Sequence, residues 1–349
     1  MSGFPRRSET FALGELLALE KRGALDSIFA TKSGEEGMTQ PGCERLSRKL
    51  QVLPEGDPAR QAAFVADRLA GRRVGGVHGY FAHTPAEVAA LSADLLGVPY
   101  GFSTHARDAR KVAPRVLAER ARNAACVVAC NTDVAEEIRR GGAHVHLLPH
   151  GVDLRRFSPM PRKHTNELRL LSVGRLVEKK GFHVLVEAAA LLNFHFCLRI
   201  VGEGPERERL SKMIETRGLR EHVTLEGSLT HAELPEAYAE ADTVVVPSVQ
   251  DSSGDRDGLP NVVLEALASA RAVVASDISA VGSAVTEGET GLLVPPDNTA
   301  ALAAALKRLA DSPALRERLG RNGRARVERD FEIGRCTERL HQLLTSVYA

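Results

Sequence analysis

The sequence predicts an α/β protein of two domains, each built on a doubly wound parallel sheet. Three observations carry that expectation. The chain has 349 residues, and at roughly 100 to 200 residues per domain it has room for two separate cores. Its second half alternates short β-branched runs with longer helical patterns, which is how a parallel sheet covered by helices reads. Its first half repeats that alternation less cleanly.

Taken in order, 11–22 reads as a helix, 24–31 and 49–53 as strands, 59–70 as a helix, and 74–77 as a strand. A helix at 85–96 carries Pro85 in its first turn, and a strand at 98–103 follows. Strands at 126–130 and 145–148 flank a helix at 134–140, which Gly141 and Gly142 terminate. Residues 34–42 read as a polar surface loop, and 149–166, opening with Pro149-His150-Gly151-Val152-Asp153, as a linker. In the second half the runs 168–173, 196–201, 222–225, 243–247, 272–276 and 291–294 are uniformly apolar, as strands buried on both faces are. Helical patterns at 182–192, 207–217, 232–239, 261–269 and 299–310 lie between them. One long helical pattern runs from 324 to 348, with Phe331, Leu340, Leu343 and Leu344 as its buried positions.

Composition removes several function classes. The chain is 43% hydrophobic and 26% charged, ordinary for a soluble globular protein. Lys+Arg 46 against Asp+Glu 45 leaves a net charge of +1, so no bulk field recruits nucleic acid or an anionic membrane. Trp is absent and aromatics are 4%, which argues against stacking platforms for single strands or long sugar chains. No stretch approaches the roughly 20 apolar residues of a spanning helix. The first residues lack the apolar core of a signal peptide, so a cytoplasmic location is expected. The five cysteines read as reduced thiols, with Cys126 and Cys130 sharing one strand face as core rather than as a metal or redox pair.

In open parallel sheets ligands sit beyond the carboxyl ends of the strands. After 168–173 comes Gly174-Arg175-Leu176-Val177-Glu178-Lys179-Lys180-Gly181. There an arginine fork, a lysine point charge and a following helix N-terminus suit phosphate, although a solvated charged loop reads the same way. After 196–201 comes Gly202-Glu203-Gly204-Pro205-Glu206, but Arg207 stands where a dinucleotide fingerprint needs its third glycine. Glu226 would supply the ribose carboxylate of such a fingerprint, yet a tight turn with some nucleotide contact is the better reading. The third element is Asp255-Arg256-Asp257-Gly258-Leu259-Pro260-Asn261 continuing to Glu265. It presents two acids to one cavity from either side of a helix start, where acidic first-turn preference is the plain alternative. A buried Glu265 needs donors, and sugar hydroxyls are good ones. In the first half, Ser103-Thr104-His105-Ala106-Arg107-Asp108 follows a strand end, placing His105 where an opposing domain would face it. Phe4-Pro5-Arg6-Arg7-Ser8-Glu9-Thr10-Phe11 opens the first helix, with Ser8 as a plausible N-cap and Glu9 complementing the dipole.

Together and in order, these segments resemble a family 4 glycosyltransferase of the bacterial exopolysaccharide and colanic-acid type. Members open with F-P-x-x-S-E-T-F, as Phe4 to Phe11 does here, and His150-Gly151-Val152-Asp153 and Gly291-Leu292-Leu293-Val294-Pro295-Pro296 continue the likeness. The resemblance implies the GT-B fold, two Rossmann-like domains facing across a cleft. It assigns 1–155 to an acceptor domain, 156–325 to a nucleotide-sugar donor domain, and 326–349 to a helix crossing back to the first. It implies that Arg175 and Lys180 hold the donor diphosphate and stabilise leaving-group charge, that Glu265 binds the donor ribose, and that Asp257 contacts the donor sugar or its phosphates. His105 would approach sugar and phosphates from the N-terminal domain. Gly174, Gly202, Gly204, Glu226, Gly258, Leu259, Pro260 and Asn261 complete the donor side, and Ser8, Glu9, Thr10 and Arg107 fall on the acceptor side. Retention of anomeric configuration is implied, with front-face attack and no metal or other cofactor.

The departures are equally specific. Position 257 is Asp where the family usually has Glu, with Asp255 as a spare acid, and Ser279-Ala280-Val281-Gly282-Ser283 replaces a G-G-x-P-E segment. The central strand expected before Phe4 is not among these residues, so its neighbours lose a ladder and apolar cover. A longer reading frame, a substitute segment and an abbreviated domain each account for that. Transfer of sugar from a nucleoside diphosphate donor to a glycan or lipid-linked acceptor is the leading function. A nucleotide-binding relative without turnover, and a nucleotide-sugar epimerase, are the alternatives. Residues 105–122 carry an excess of four positive charges that reads as a solvated helix face or as a peripheral membrane contact.

Overall fold

The computed structural model describes residues 1–5, 10–34, 42–160, 167–230 and 232–349, without the side chains of Thr10, Ala106 and Arg107. Ser8, Glu9, the side chains of Thr10 and Arg107, and most of the loop expected at 34–42 therefore lie outside the described residues. The chain divides into two units, Met1–Gly151 with Ile333–Ala349, and Val152–Glu332.

In the second unit six strands follow the apolar runs: β7 (Leu168–Val173), β8 (Phe196–Val201), β9 (Val223–Gly227), β10 (Thr243–Val246), β11 (Ala272–Ser276) and β12 (Leu292–Val294). They form one parallel sheet in the order β12-β11-β10-β7-β8-β9. Alternation along each strand feeds two cores. Leu170, Leu198, Ile200, Val245 and Val274 face one cluster, and Leu171, Val201, Val244 and Val273 face the other. Every residue of β10 and β11 is buried, including Thr243 and Ser276, as their nearly continuous apolar runs lead one to expect. Around the sheet lie α8 (Phe182–Ala189), α9 (Arg207–Thr216), α10 (Leu234–Glu240), α11 (Asn261–Ala268), α12 (Thr299–Ala310) and α13 (Pro313–Asp330).

Two expectations change in this unit. The pattern at 324–348 is not one helix, because α13 ends at Asp330 and α14 (Ile333–Tyr348) belongs to the first unit. Buried Phe331 turns its carbonyl to the Val152 amide at 2.8 Å, which diverts the chain between them. The linker expected from 149 is also shorter. Val152 and Phe157 are core residues of the second unit, with Phe157 edge-on to Tyr238.

The first unit has two separate parallel sheets. One pairs β1 (Ile28–Ala30) with β2 (Leu50–Val52). The other runs β3 (Val77–Tyr80), β4 (Tyr100–Thr104), β5 (Cys126–Ala129), β6 (His146–Leu147) in that order. The helices are α1 (Thr10–Lys21), α2 (Cys43–Ser47), α3 (Pro58–Leu69), α4 (Thr84–Leu96), α5 (Ala106–Arg110), α6 (Pro114–Asn123) and α7 (Thr132–Arg140), with α14 packed on α1. The strand expected at 24–31 shrinks to three residues. That expected at 74–77 begins at Val77, because Gly75 and Gly76 lie tight against Tyr348 at the end of α14. Arg22 ties α1 to Glu338 of α14 at 3.0 Å. Among the described residues no helix is long and apolar enough to cross a membrane.

Candidate functional site

The order β12-β11-β10-β7-β8-β9 reverses direction between β10 and β7, and that switch point is where ligands bind in open α/β sheets. The loops leaving these two strands, 174–181 and 247–260, meet there. The Val249 amide donates to the Lys179 carbonyl at 2.9 Å. The second loop is folded on Asp251, whose Oδ1 accepts from the Ser253 and Asp255 amides, both at 2.9 Å.

This lacing builds an ionic cluster. Lys180 Nζ lies 2.7 Å from Asp257 Oδ2, and Ser248 Oγ donates to the same oxygen at 3.1 Å. Lys179, buried at 6% exposure, sits 2.9 Å from Asp255 Oδ2 and 3.5 Å from Asp257 Oδ1. Burial pushes the Asp257 carboxyl up, but Lys180 and Lys179 outweigh it and hold the group below its ordinary value. Two cations and two carboxylates are thus packed at one strand-end crevice, a charged arrangement that can exchange partners with a diphosphate.

The other expected donor residues fall into distinct places. Arg175 is exposed and pairs with no carboxylate among the described residues. Gly174 lies against the Lys180 stem. Gly202 and Gly204 are required by packing: a Cβ on Gly202 would stand 1.8 Å from the Gly174 carbonyl oxygen, and one on Gly204 2.4 Å from that of Leu176. Their glycines seat one strand-end loop on the next, whatever else binds there. Gly258, Leu259, Pro260 and Asn261 lead into α11, with Pro260 at its N-cap and Leu259 packed on the core.

Glu265 is buried on α11 and accepts from the Tyr238 hydroxyl at 2.7 Å. Burial raises its pKa, against the lowering pull of Tyr238, Arg156 and Lys180. Glu226 takes a different position from the one the fingerprint argument gave it. Its carboxylate is clasped by Arg199 of β8 at 2.9 and 3.0 Å, and Arg199 also holds Glu240, so none of its hydrogen bonds is with the lysine–aspartate cluster.

The first unit has its own cluster at its strand ends. His105 follows β4 and is enclosed by Phe11, Tyr80, Phe81 and His150, with ring centroids 4.8 to 5.9 Å away. Asp108 shapes the turn. Its Oδ1 accepts from the His105 amide at 2.7 Å, and its Oδ2 from the Ala82 amide at 2.7 Å and Thr104 Oγ1 at 3.0 Å. Burial pulls the His105 pKa down, yet Cys130 and Asp108 carry it above its ordinary value. His150 bonds Glu15 of α1, which also accepts from Tyr80.

One metal-type grouping exists among the described residues: ligand atoms of His105, Cys130 and His150 lie within 4.8 Å of one another. Its geometry is not that of a metal centre. The two imidazoles stack with 12° between their planes, so their lone pairs run side by side rather than converging, and Glu15 occupies His150 Nδ1.

Lys179, Ser248 and Tyr238 contact these expected site residues and are passed over by the motif reading, as is Glu15. Glu15 had a signal: it sits on the apolar stripe of α1 with Ala12, Leu16 and Leu19, and a carboxylate on a buried stripe needs a reason. Lys179 had none, being adjacent to an identical residue.

Comparison with known proteins follows the same division. Residues 18–156 match the family described as Glycosyltransferase Family 4. Residues 155–326 match Glycosyl transferases group 1. The chain is 31% identical over 262 residues to an alpha-D-kanosaminyltransferase of Streptomyces kanamyceticus, covering 66% of each. It is 36% identical over 203 residues to a colanic acid biosynthesis glycosyltransferase of Escherichia coli K12, covering 56% of this chain and 50% of that one. It thus spans about half to two thirds of the length of these relatives. A sucrose-phosphate synthase from Thermosynechococcus elongatus superposes with a TM-score of 0.81 at 25% identity, covering 97% of this chain and 93% of that one. With adjoining family matches over both units and one GT-B neighbour spanning nearly all of it, the chain belongs to the family 4 glycosyltransferases of the GT-B fold.

Proposed function

We propose that the chain is a retaining, metal-independent glycosyltransferase of polysaccharide or glycoconjugate biosynthesis. It moves a sugar from a nucleoside diphosphate donor to a glycan or lipid-linked acceptor. The observation that supports this most is the Lys179–Lys180–Asp255–Asp257 cluster at the switch point of the second unit.

In this reading the diphosphate takes Lys180 and Arg175, supplying the anionic partner that Asp257 supplies in its absence. Arg175, exposed and unpaired with carboxylate, is available for that contact at no cost in existing ion pairs. Charge developing on the leaving phosphate is met by these cations where other transferases use a divalent ion. Glu265, buried with one oxygen on Tyr238, offers its second oxygen to ribose hydroxyls. The acceptor hydroxyl attacks the anomeric carbon as the glycosidic bond to phosphate breaks, and its proton passes to the leaving phosphate oxygen. His105 contributes on the sugar side, held by Asp108. The cytoplasmic face is where such donors are met, and the basic stretch 105–122 would serve a lipid-phosphate acceptor.

The test offers the full chain UDP-, GDP- and ADP-sugars, with calorimetry for binding, nucleotide release for turnover, and proton NMR of the product for anomeric configuration. Binding of one donor with release and retained configuration is expected. Binding without release in the presence of lipid-linked acceptors would instead favour a nucleotide-binding relative, and absence of binding to all donors overturns both.

A further inference from the structure

Tyr238 of α10 is wholly buried and belongs to the same core cluster as Phe157 and, on α11, Val263 and Leu264. Phe157 stands edge-on to its ring, with 5.6 Å between centroids. A ring packed on all sides has no second orientation to turn to, so packing alone fixes where its hydroxyl lies. Burial, and then the charge of Glu265, pushes the phenol well above its ordinary value. The hydroxyl therefore keeps its proton and acts as a donor at a set place.

That donor meets one oxygen of Glu265 and leaves the other. Tyr238 Oη lies 2.7 Å from Glu265 Oε2, the one hydrogen bond this carboxylate makes among the described residues. Glu265 retains 8% exposure, and its Oε1 is not sealed from solvent. Arg156 and Lys180 are the charged groups that act on it, and with Tyr238 they oppose the burial that favours the neutral acid. A glutamate ordered by its ligand loses rotamer entropy on binding. Here one oxygen is tied from inside beforehand, so the other is presented in a fixed direction.

On the proposed function, in which Glu265 takes the donor ribose, we propose that Tyr238 is the positioning residue that makes this unit prefer ribose to deoxyribose. An anchored carboxylate oxygen offers two lone pairs to the neighbouring 2′- and 3′-hydroxyls, and a deoxyribose leaves one of them empty. A site built to hydrogen-bond a hydroxyl rejects the analogue that lacks it. Without Tyr238 the carboxylate turns to follow a single hydroxyl and takes up a proton more readily, so the two sugars bind more nearly alike.

The test gives the full chain UDP, GDP and ADP, each beside its 2′-deoxy form, in calorimetry. The pair that binds is then repeated with Tyr238→Phe, with Glu265→Gln and with both. The unaltered chain should prefer the ribose form by roughly tenfold to a hundredfold, the worth of one charge-assisted hydrogen bond. Tyr238→Phe should bring that ratio below about threefold by weakening the ribose form, and should not change it further once Glu265→Gln is present. Should Tyr238→Phe fail to fold, Tyr238→Met fills the space with a flexible side chain that lacks the donor and gives the same comparison. A ratio that Tyr238→Phe leaves in place, or that falls further when it is added to Glu265→Gln, overturns the proposal and leaves the ribose contact standing. Equal affinity of the unaltered chain for both forms overturns the proposal together with Glu265 as a ribose ligand. No binding of any of these nucleotides overturns the proposed function on which both rest.

Discussion

Replacing Lys179 by methionine tests whether the second unit's charged residues form one coupled network. Methionine retains most of the stem's packing and removes the cation. Removing one partner of a buried pair costs roughly 3 to 5 kcal/mol, because the remaining charge is stranded. Two features reduce that here. Asp257 keeps Lys180 at 2.7 Å and Ser248 at 3.1 Å, and the Asp255 side chain retains 21% exposure. The expected loss is about 2 to 4 kcal/mol, a fall of roughly 5 to 15 °C in the unfolding midpoint for a unit of this size. Urea unfolding of the full chain measures it, with Asp255→Asn alone and combined. The double variant should recover at least half the loss, since it removes the stranded charge. The pH dependence has a definite sign. Asp257 titrates below its ordinary 3.8, so the stability it contributes is present above that value and disappears as pH falls through the lowered one. The Lys179→Met deficit should therefore be largest near neutrality and close on acidification below about pH 4. A loss under about 1 kcal/mol, or one that ignores pH, would show that Lys179 is held by its stem alone.

Tyr238→Phe leaves a buried Glu265 oxygen without its donor and should cost about 1 to 3 kcal/mol. Because Glu265 already titrates high, stability falls as pH rises from its unfolded value through its folded one. Losing Tyr238 extends that window upward, so urea titrations at pH 5 and pH 8 should show the deficit widening, and a flat deficit would speak against an ionised Glu265. Arg175→Ala should leave the free protein's stability within about 0.5 kcal/mol. It should weaken nucleoside diphosphate binding by roughly tenfold to a hundredfold in calorimetry, one charge-assisted contact being worth about 1.5 to 3 kcal/mol; unchanged affinity removes Arg175 from the phosphate site. Gly202→Ala forces backbone apart against the Gly174 carbonyl, whereas Gly218→Ala meets open space and only the strain of its positive φ. The first should cost well over the roughly 1 to 2 kcal/mol of the second, and equal thermal midpoints would refute the packing role.

Much of the second unit was legible because its signals are local. A strand buried on both faces is nearly all apolar, as β10 is apart from Thr243 and β11 apart from Ser276, and the residues following each strand are the ones a ligand meets. That rule singled out Lys180 and Asp257, which the structure brings into one ion pair. What escaped depends on contacts between distant segments. Tyr238 and Glu265 are 27 residues apart and meet only once the unit is folded. Glu226 looked like a ribose ligand by spacing, yet Arg199 on the neighbouring strand claims it. In the first unit the register was harder to read, since the glycines at 75 and 76 belong to the close approach of Tyr348, more than 270 residues later, and not to a strand.

Asp257 stands where the resemblance implies Glu, on the loop folded on Asp251. With the turn closed on Asp251, this carboxylate lies 2.7 Å from Lys180. The cost is a cation that is already satisfied before any ligand arrives. A diphosphate that takes Lys180 must release Asp257, which then falls back on Lys179 and Ser248, both within 3.5 Å. On the proposed function, Lys179 permits that exchange: without it, binding would strand a buried carboxylate, and with it the charge is passed along. On the proposed function, donor affinity follows from the difference between two ionic arrangements rather than from the number of cations present, so adding a positive charge nearby should do less for binding than removing the acid at 255 that competes for Lys179.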